Sequence, residues 1–309
     1  MLKPSGLDRS TVRARFNAHP AATDRADFLH REVERRMLER LDLVKLDPVN
    51  RVLDVGCGPG QSLATLAARY PGAWMIGTDF AERSLAIANG SAGAEGGTGG
   101  ASPARLVEGA RRLFQRLGVG SGQPLPATQP LWFAADAHAL PLAGNSIDMV
   151  WSNLAAHWFD DPLAAVAEWH RVIRPGGLLM FSAFGVDTLK ELRPAAPEPG
   201  WPSLQDMHDW GDALAATGFA DPVMDVERLT LTYEDPGRLA DDARKLLVHD
   251  AFPEPAATAA RDEREAAGCL RLSIELIYGH AWCPMTKRRD DGLAPIHFQP
   301  RKRPSEPGL

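Results

Sequence analysis

Arg51-Val52-Leu53-Asp54-Val55-Gly56-Cys57-Gly58-Pro59-Gly60 decides how this chain folds. Val52, Leu53 and Val55 form a short apolar run of the length a buried parallel strand needs. Three glycines at alternate positions then impose a tight turn that lets a ligand approach bare backbone. Behind the turn, residues 62–68 read as a helix whose N-terminus points at that ligand. A strand, a glycine turn and a helix start in that order form the nucleotide site of a doubly wound α/β fold.

The nature of the ligand follows from two details. Glycine turns after strands are common in dinucleotide-binding folds, but the spacing here is GxGxG rather than GxGxxG. Asp54 also sits two residues ahead of the first glycine, where a fixed negative charge would repel a pyrophosphate. The same charge suits an ammonium group, such as the amino-acid end of S-adenosylmethionine. A second acid closes the next apolar run in Ile76-Gly77-Thr78-Asp79, 19 residues past Gly60, where this fold grips ribose hydroxyls. Together these residues resemble the class I S-adenosylmethionine-dependent methyltransferases. The resemblance implies a doubly wound, Rossmann-like α/β fold with a seven-stranded, mostly parallel sheet, and S-adenosyl-L-methionine as cofactor. It assigns Asp54, Gly56, Cys57, Gly58, Gly60, Asp79 and Phe80 to the cofactor site.

Composition bounds the rest. The 309 residues can bury one large core or two small ones, and 44% hydrophobic with 24% charged residues is ordinary for a soluble globular protein. No apolar stretch approaches the ~20 residues that span a bilayer. The first residues lack the apolar core of a secretory signal, and Asp8 beside Arg9, Arg13 and Arg15 argues against a transit peptide. Cys57, Cys269 and Cys283 are too scattered for a disulfide framework or a zinc site, so a reducing cytoplasm is expected. A net charge of −6 argues against broad nucleic-acid binding.

Along the chain, residues 1–48 form an N-terminal helical extension. Leu29, Val33, Met37 and Leu41, with Leu38, recur at helical spacing, giving an amphipathic helix packed on the following domain. Residues 15–20 read as a helix end and loop; in methyltransferases such segments often fold over the cofactor as a lid, the alternative being an extension that only packs on the domain. Residues 49–283 form the methyltransferase domain. A strand over 73–78 and a helix over 81–88 are followed by a glycine-dense, flexible insertion at 89–130, with a short helix possible at 104–117. A strand then ends in Asp136-Ala137, at the position that meets adenine in the resembled family. Residues 284–309 make a basic tail expected to be disordered.

The turn at Asn145 leads into a fourth strand whose carboxyl end carries Asn153, His157 and Trp158, the side on which open α/β sheets bind ligands. Asp161-Pro162 opens a helix, with Leu163, Val166 and Ile173 on its buried side and Arg174 to Gly177 ending it. Residues 178–184 are apolar throughout, as a central strand should be. A helix is expected to start at Gly185, and another, capped by Ser203, to span 204–217. Strands over 223–233 and 270–282 should pair as an antiparallel edge, with helix between them.

Trp151-Ser152-Asn153-Leu154-Ala155 with Trp158, and Arg171-Val172-Ile173-Arg174-Pro175, resemble the malonyl-acyl-carrier-protein O-methyltransferases of biotin synthesis. That resemblance implies carboxyl O-methylation of a malonyl thioester, acyl carrier protein as partner, and Asn153 among the residues near the cofactor. One departure is Thr23, where members of that family often carry tyrosine. Phe184 to Leu189 with Glu191-Leu192-Arg193 also resemble mitochondrial respiratory-complex assembly factors of this fold, associated with arginine hydroxylation. An ionised carboxylate needs no general base to accept a methyl group, its reference pKa lying near ~4. The catalytic candidates are therefore few: Asn153, His157 as a base for a different acceptor, and Arg15 or Arg193 as cations for the carboxylate. No metal site is expected. Asp136 and His138, two apart, lack a third ligand for iron.

Overall fold

Val52 and Leu53 are both fully buried, yet they belong to different apolar layers, one on each face of a single sheet. A computed structural model describes residues 2, 6, 8–18, 27–88, 130–192, 204–247 and 269–285. The expectations for Thr23, the insertion at 89–129, the helix at 104–117, Arg193, Ser203, the segment 248–268 and the tail from 286 lie outside those residues.

Seven strands make the sheet: β1 (Arg51–Val55), β2 (Trp74–Asp79), β3 (Leu131–Ala134), β4 (Ile147–Ser152), β5 (Ile173–Phe184), β6 (Ala220–Tyr233) and β7 (Leu270–Trp282). Their order is β3-β2-β1-β4-β5-β7-β6. β1 pairs in parallel with β2 and β4, and β7 runs antiparallel between β5 and β6. The seven-stranded, mostly parallel α/β fold is thus as expected. The antiparallel strand, however, lies inside the sheet, and β6 forms the outer edge.

The helices are α1 (Arg9–Ala18), α2 (Asp27–Leu41), α3 (Gln61–Arg69), α4 (Glu82–Ala88), α5 (Pro162–Val172), α6 (Met207–Thr217) and α7 (Pro236–Leu247). One layer joins Leu29, Val33, Met37 and Leu41 of α2 to Leu63 and Leu66 of α3 and to Leu239, Ala243 and Leu246 of α7. The other packs Val166, Trp169 and Val172 of α5 and Trp210, Ala213 and Leu214 of α6 on the opposite face. Side chains alternate along a strand, so Leu178 and Met180 enter the first layer while Leu179 and Phe181 enter the second. α2 is therefore built into the core of the domain that follows it. No helix among the described residues is long and apolar enough to cross a membrane.

Four local expectations are corrected. α5 ends at Val172, and the Arg174 to Gly177 segment, read as the end of that helix, opens β5. Pro175 disfavours helical geometry in the residue before it, and the strand end of β7 claims the backbone: Gly176 N–H donates to Cys283 O (2.8 Å) and Cys283 N–H to Gly177 O (2.9 Å). Ile173 accordingly faces the core from the strand, while Ala165 and Trp169 complete the buried side of α5 with Val166. The helix expected from Gly185 is a turn and a short 3-10 stretch, Lys190–Leu192. Here β7 again intervenes, since Leu189 N–H donates to Ser273 O (2.7 Å) and Asp187 N–H to the buried Glu275 carboxylate (2.8 Å). α6 starts at Met207 with Asp206 as its cap, accepting from His208 N–H at 2.8 Å. β3 stops at Ala134, so Asp136 and Ala137 lie just beyond it.

Candidate functional site

The glycine turn hangs from the end of β2. Gly56 and Cys57 N–H both donate to Thr78 O, at 2.9 and 3.1 Å, and Gly60 N–H closes the turn onto Cys57 O at 2.8 Å. Asp79 completes the anchorage, its carboxylate accepting from Gly58 N–H (2.9 Å) and from Ala81 N–H (2.8 Å). The acid expected to meet ribose is also the group that holds the turn.

All three glycines have positive φ, but the space around them differs. A Cβ on Gly56 would sit 2.3 Å from the Ala155 Cβ, and one on Gly60 2.1 Å from the Trp132 ring. A Cβ on Gly58 (φ 52°) would meet nothing within 4 Å. The outer glycines are thus required by packing, whereas the middle one borders open space. Gly60 precedes α3 and supplies no side-chain cap to the first N–H groups of that helix.

Asp54 lies on the α2 side of the sheet, 2% exposed. Burial, then the carboxylates of Glu34 and Asp79, raises its pKa well above the usual carboxylate range. Glu34, 8% exposed, comes from α2, and its charge acts on Asp54. Two acids are thus brought together at the base of the glycine turn, and each disfavours ionisation of the other. Cys57 is buried beside them, and burial followed by Asp54 and Asp79 pushes its thiol well up, so it is no thiolate nucleophile at neutral pH.

α1 covers this end of the sheet. The Phe16 ring stands edge-on to Phe80 (centroids 6.0 Å) and to Trp158 (5.3 Å). Arg9 forms a fork on Asp160, with N–O distances of 2.9–3.3 Å, and also reaches Asp136. Asn17 accepts from Arg83 N–H of α4 at 3.0 Å. Asp136 bonds His138 as well; burial raises its pKa, but the His138 bonds and the Arg9 charge bring it below the ordinary value. The Asp136 carboxylate is therefore engaged by α1 from one side and by its own loop from the other. Among the described residues no group of three or more His, Cys, Asp or Glu is arranged to hold a metal ion.

Beyond β4, Asn153 donates to His30 O of α2 (3.0 Å) and accepts from Ser182 Oγ (3.0 Å). His157 is 4% exposed, its ring 4.5 Å from that of Phe184 and 5.1 Å from that of Trp158, centre to centre. Burial, assisted by His30, lowers its pKa to about 3. Arg15 sits half-buried in the last turn of α1. Arg171 and Arg174 serve the scaffold, Arg171 on Glu168 and Leu140 O, Arg174 on Asp148 and Pro48 O.

Sequence reasoning missed Glu34, His30, Arg9 and Trp132. Glu34 left a signal, for it lies three residues before Met37 and seven before Leu41, on the buried side of α2. Arg9 and Trp132 left none, since their partners are remote in the chain.

Two models of the methyltransferase domain match the chain, one over residues 52–109 and the other over 104–181. A malonyl-acyl-carrier-protein O-methyltransferase from Laribacter hongkongensis is 41% identical, the match covering 95% of this chain and 96% of that protein. A protein of the same name from Methylovorus sp. is 39% identical over 96% of each. Among solved structures, the YcgJ protein of Bacillus subtilis superposes with a TM-score of 0.52 at 15% identity, covering 81% of this chain and 98% of its own. That likeness concerns the fold.

Proposed function

Because the chain belongs to the malonyl-acyl-carrier-protein O-methyltransferase family of S-adenosylmethionine-dependent enzymes, we propose that it methylates the free carboxylate of a malonyl thioester carried by acyl carrier protein. The chain is a methyltransferase, and S-adenosyl-L-methionine is its cofactor. The proposal extends to the acceptor, the carrier-protein partner, a role in biotin precursor synthesis and a cytoplasmic location.

Residues of the glycine turn fit the cofactor. Asp54 with Glu34 would hold its ammonium group, and the open side of Gly58 would admit it against bare backbone. Asp79 would bond the ribose hydroxyls while keeping its two amide bonds to the turn. Gly56, Cys57 and Gly60 shape that wall, and Phe80, Asp136 and Ala137 would line the adenine end. Asn153 would act by anchoring α2 at the mouth of the site. When bound, the cofactor supplies an electrophilic methyl group on a sulfonium.

The observation that carries the carboxylate reading is the state of His157. It is buried and its Nδ1 already accepts from Phe184 N–H at 3.3 Å, and burial lowers its pKa, so it does not serve as the base a hydroxyl or amine would need. A carboxylate is already ionised at neutral pH, and the protein has only to hold it in line and keep water away. Arg15 is the candidate cation that draws the charged acceptor to the mouth, because an arginine fork matches a carboxylate at two points. Arg193, the second candidate, lies outside the described residues. Labelled S-adenosylmethionine offered with malonyl-, acetyl- and succinyl-acyl carrier protein tests this reading. A base-labile methyl ester on the malonyl species alone is expected. Methylation of other acceptors with none of the malonyl species would overturn the substrate assignment.

A further inference from the structure

We propose that His157 is the neutral hydrogen-bond donor that orients the acceptor carboxylate, through a proton held on Nε2. The inference rests on the carboxylate reading above and adds a contact to it.

His157 lies just beyond β4, in the short 3-10 turn Ala156–Trp158, and its ring packs on Phe184 at the carboxyl end of β5. Phe184 N–H, at the end of β5, donates to His157 Nδ1 at 3.3 Å. An Nδ1 that accepts carries no proton, so the neutral ring keeps its proton on Nε2, at the opposite edge. That nitrogen is buried and has no hydrogen-bond partner among the described residues. A buried donor without an acceptor is costly and rare in folded proteins. The rings of Phe184 and Trp158 fix the imidazole plane, and His30 of α2 is the titratable neighbour whose charge acts on it. The residue therefore holds one buried, uncharged N–H at the carboxyl end of the sheet, the end that also carries the glycine turn.

An uncharged donor suits this reaction better than a cation at the reacting end. The carboxylate begins with one negative charge and ends as a neutral ester, so its charge falls as the new O–CH3 bond forms. One carboxylate oxygen donates the electron pair to the methyl carbon, the C–S bond breaks, and the sulfonium leaves as a neutral thioether; no proton moves. A fixed cation against the acceptor would bind the starting carboxylate more strongly than the transition state and slow the step. A neutral N–H bonded to the non-attacking oxygen keeps its partner throughout, since that oxygen becomes the ester carbonyl. His157 would thus set acceptor orientation without opposing the loss of charge, leaving the arginine to act at the mouth.

Three variants separate this role from packing and from base catalysis. His157→Gln retains a donor of similar reach but cannot take up a proton. His157→Asn offers an acceptor to Phe184 N–H yet falls short of the Nε2 position. His157→Phe retains the ring and removes both nitrogens. With cofactor affinity measured by calorimetry and kcat and KM measured on malonyl-acyl carrier protein, cofactor affinity should be unchanged in all three. Asn and Phe should lower kcat/KM by about 10–100-fold, the range for a hydrogen bond to a charged group, while Gln stays within about fivefold of wild type. A Gln variant as impaired as Asn, or an Asn variant as active as wild type, would overturn the assignment; these two decide it if the Phe variant fails to fold. Nitrogen NMR of the free protein should report the neutral Nε2–H tautomer between pH 6 and 8, and an Nδ1–H tautomer or an imidazolium there would overturn it as well. A wild type inactive on malonyl-acyl carrier protein would overturn only the substrate reading, because the NMR result does not depend on the acceptor.

Discussion

Asn153, one residue past β4, donates its side-chain amide to the backbone carbonyl of His30 in α2 at 3.0 Å, across 123 positions of chain. Its amide oxygen accepts from Ser182 Oγ, which in turn accepts from Leu154 N–H at 2.9 Å. The helix that supplies Glu34 to the cofactor turn is thereby tied to the carboxyl ends of β4 and β5. Asn153→Ala removes both bonds and leaves the partners short of a donor and an acceptor. Urea denaturation should show a loss of about 1–3 kcal/mol, accompanied by weaker cofactor binding. A variant with native stability and affinity would show that α2 is held by its apolar face alone.

With Asp54 holding the cofactor's ammonium group, as proposed, cofactor affinity should depend on pH. In the free protein, burial and then Glu34 and Asp79 hold its carboxyl above the ordinary range. An ammonium group docking there favours the ionised form, so binding releases a proton, and by linkage affinity rises with pH while the free carboxyl is still titrating. The rise starts where the carboxyl titrates with the ammonium bound and levels off where the raised carboxyl of the free protein has finished titrating. Calorimetry over a series of pH values, in buffers of different ionisation enthalpy, should register the released proton within that interval. Asp54→Asn should abolish that release and weaken binding by roughly tenfold or more, as loss of a charge-assisted bond implies. An unchanged release in the variant would assign the proton to another group.

Gly77 and Trp132 are matched in size. A Cβ on Gly77 would lie 2.4 Å from the Trp132 ring, which also covers Gly60. Gly77→Ala should therefore destabilise the protein by about 1–3 kcal/mol through overpacking. Pairing it with Trp132→Leu should recover much of that loss, a coupling between neighbours that a double-mutant cycle measures. Simple additivity of the two changes would mean that the ring moves aside without strain.

Arg9 fastens α1 over the site through Asp160 and Asp136. It is 47% exposed, so each pair contributes little to stability, about 0.2–1 kcal/mol. Arg9→Ala should leave the melting temperature within a few degrees of wild type but speed cofactor release several-fold in stopped-flow measurements. Added salt should have the same effect on the wild type and a smaller one on the variant. Release rates equal in both proteins at low salt would show that α1 does not gate the site.

Elements set by short-range pattern were legible from residues alone. The Val52-Leu53-Val55 run, the glycines of the following turn, the Leu29/Val33/Met37/Leu41 stripe and the Asp161-Pro162 helix start each announce themselves within a few positions. Asp161 does cap α5, accepting from Ala164 N–H, and the stripe is fully buried. Strand alternation, helical period and the steric freedom of glycine are local properties, so they can be read without knowing the neighbours.

The charges and hydrogen bonds of the site were decided only by tertiary structure. Glu34 beside Asp54, Arg9 on Asp136 across 127 positions, and Phe184 N–H on His157 are pairings that no period in the sequence encodes. Likewise, β7 entered between β5 and β6 and took the backbone bonds that a helix after Gly185 would have needed. Burial decides the chemical state of such groups, and burial belongs to the packed whole. A histidine that by sequence could act as a base becomes, once covered by Phe184 and Trp158, a neutral N–H donor.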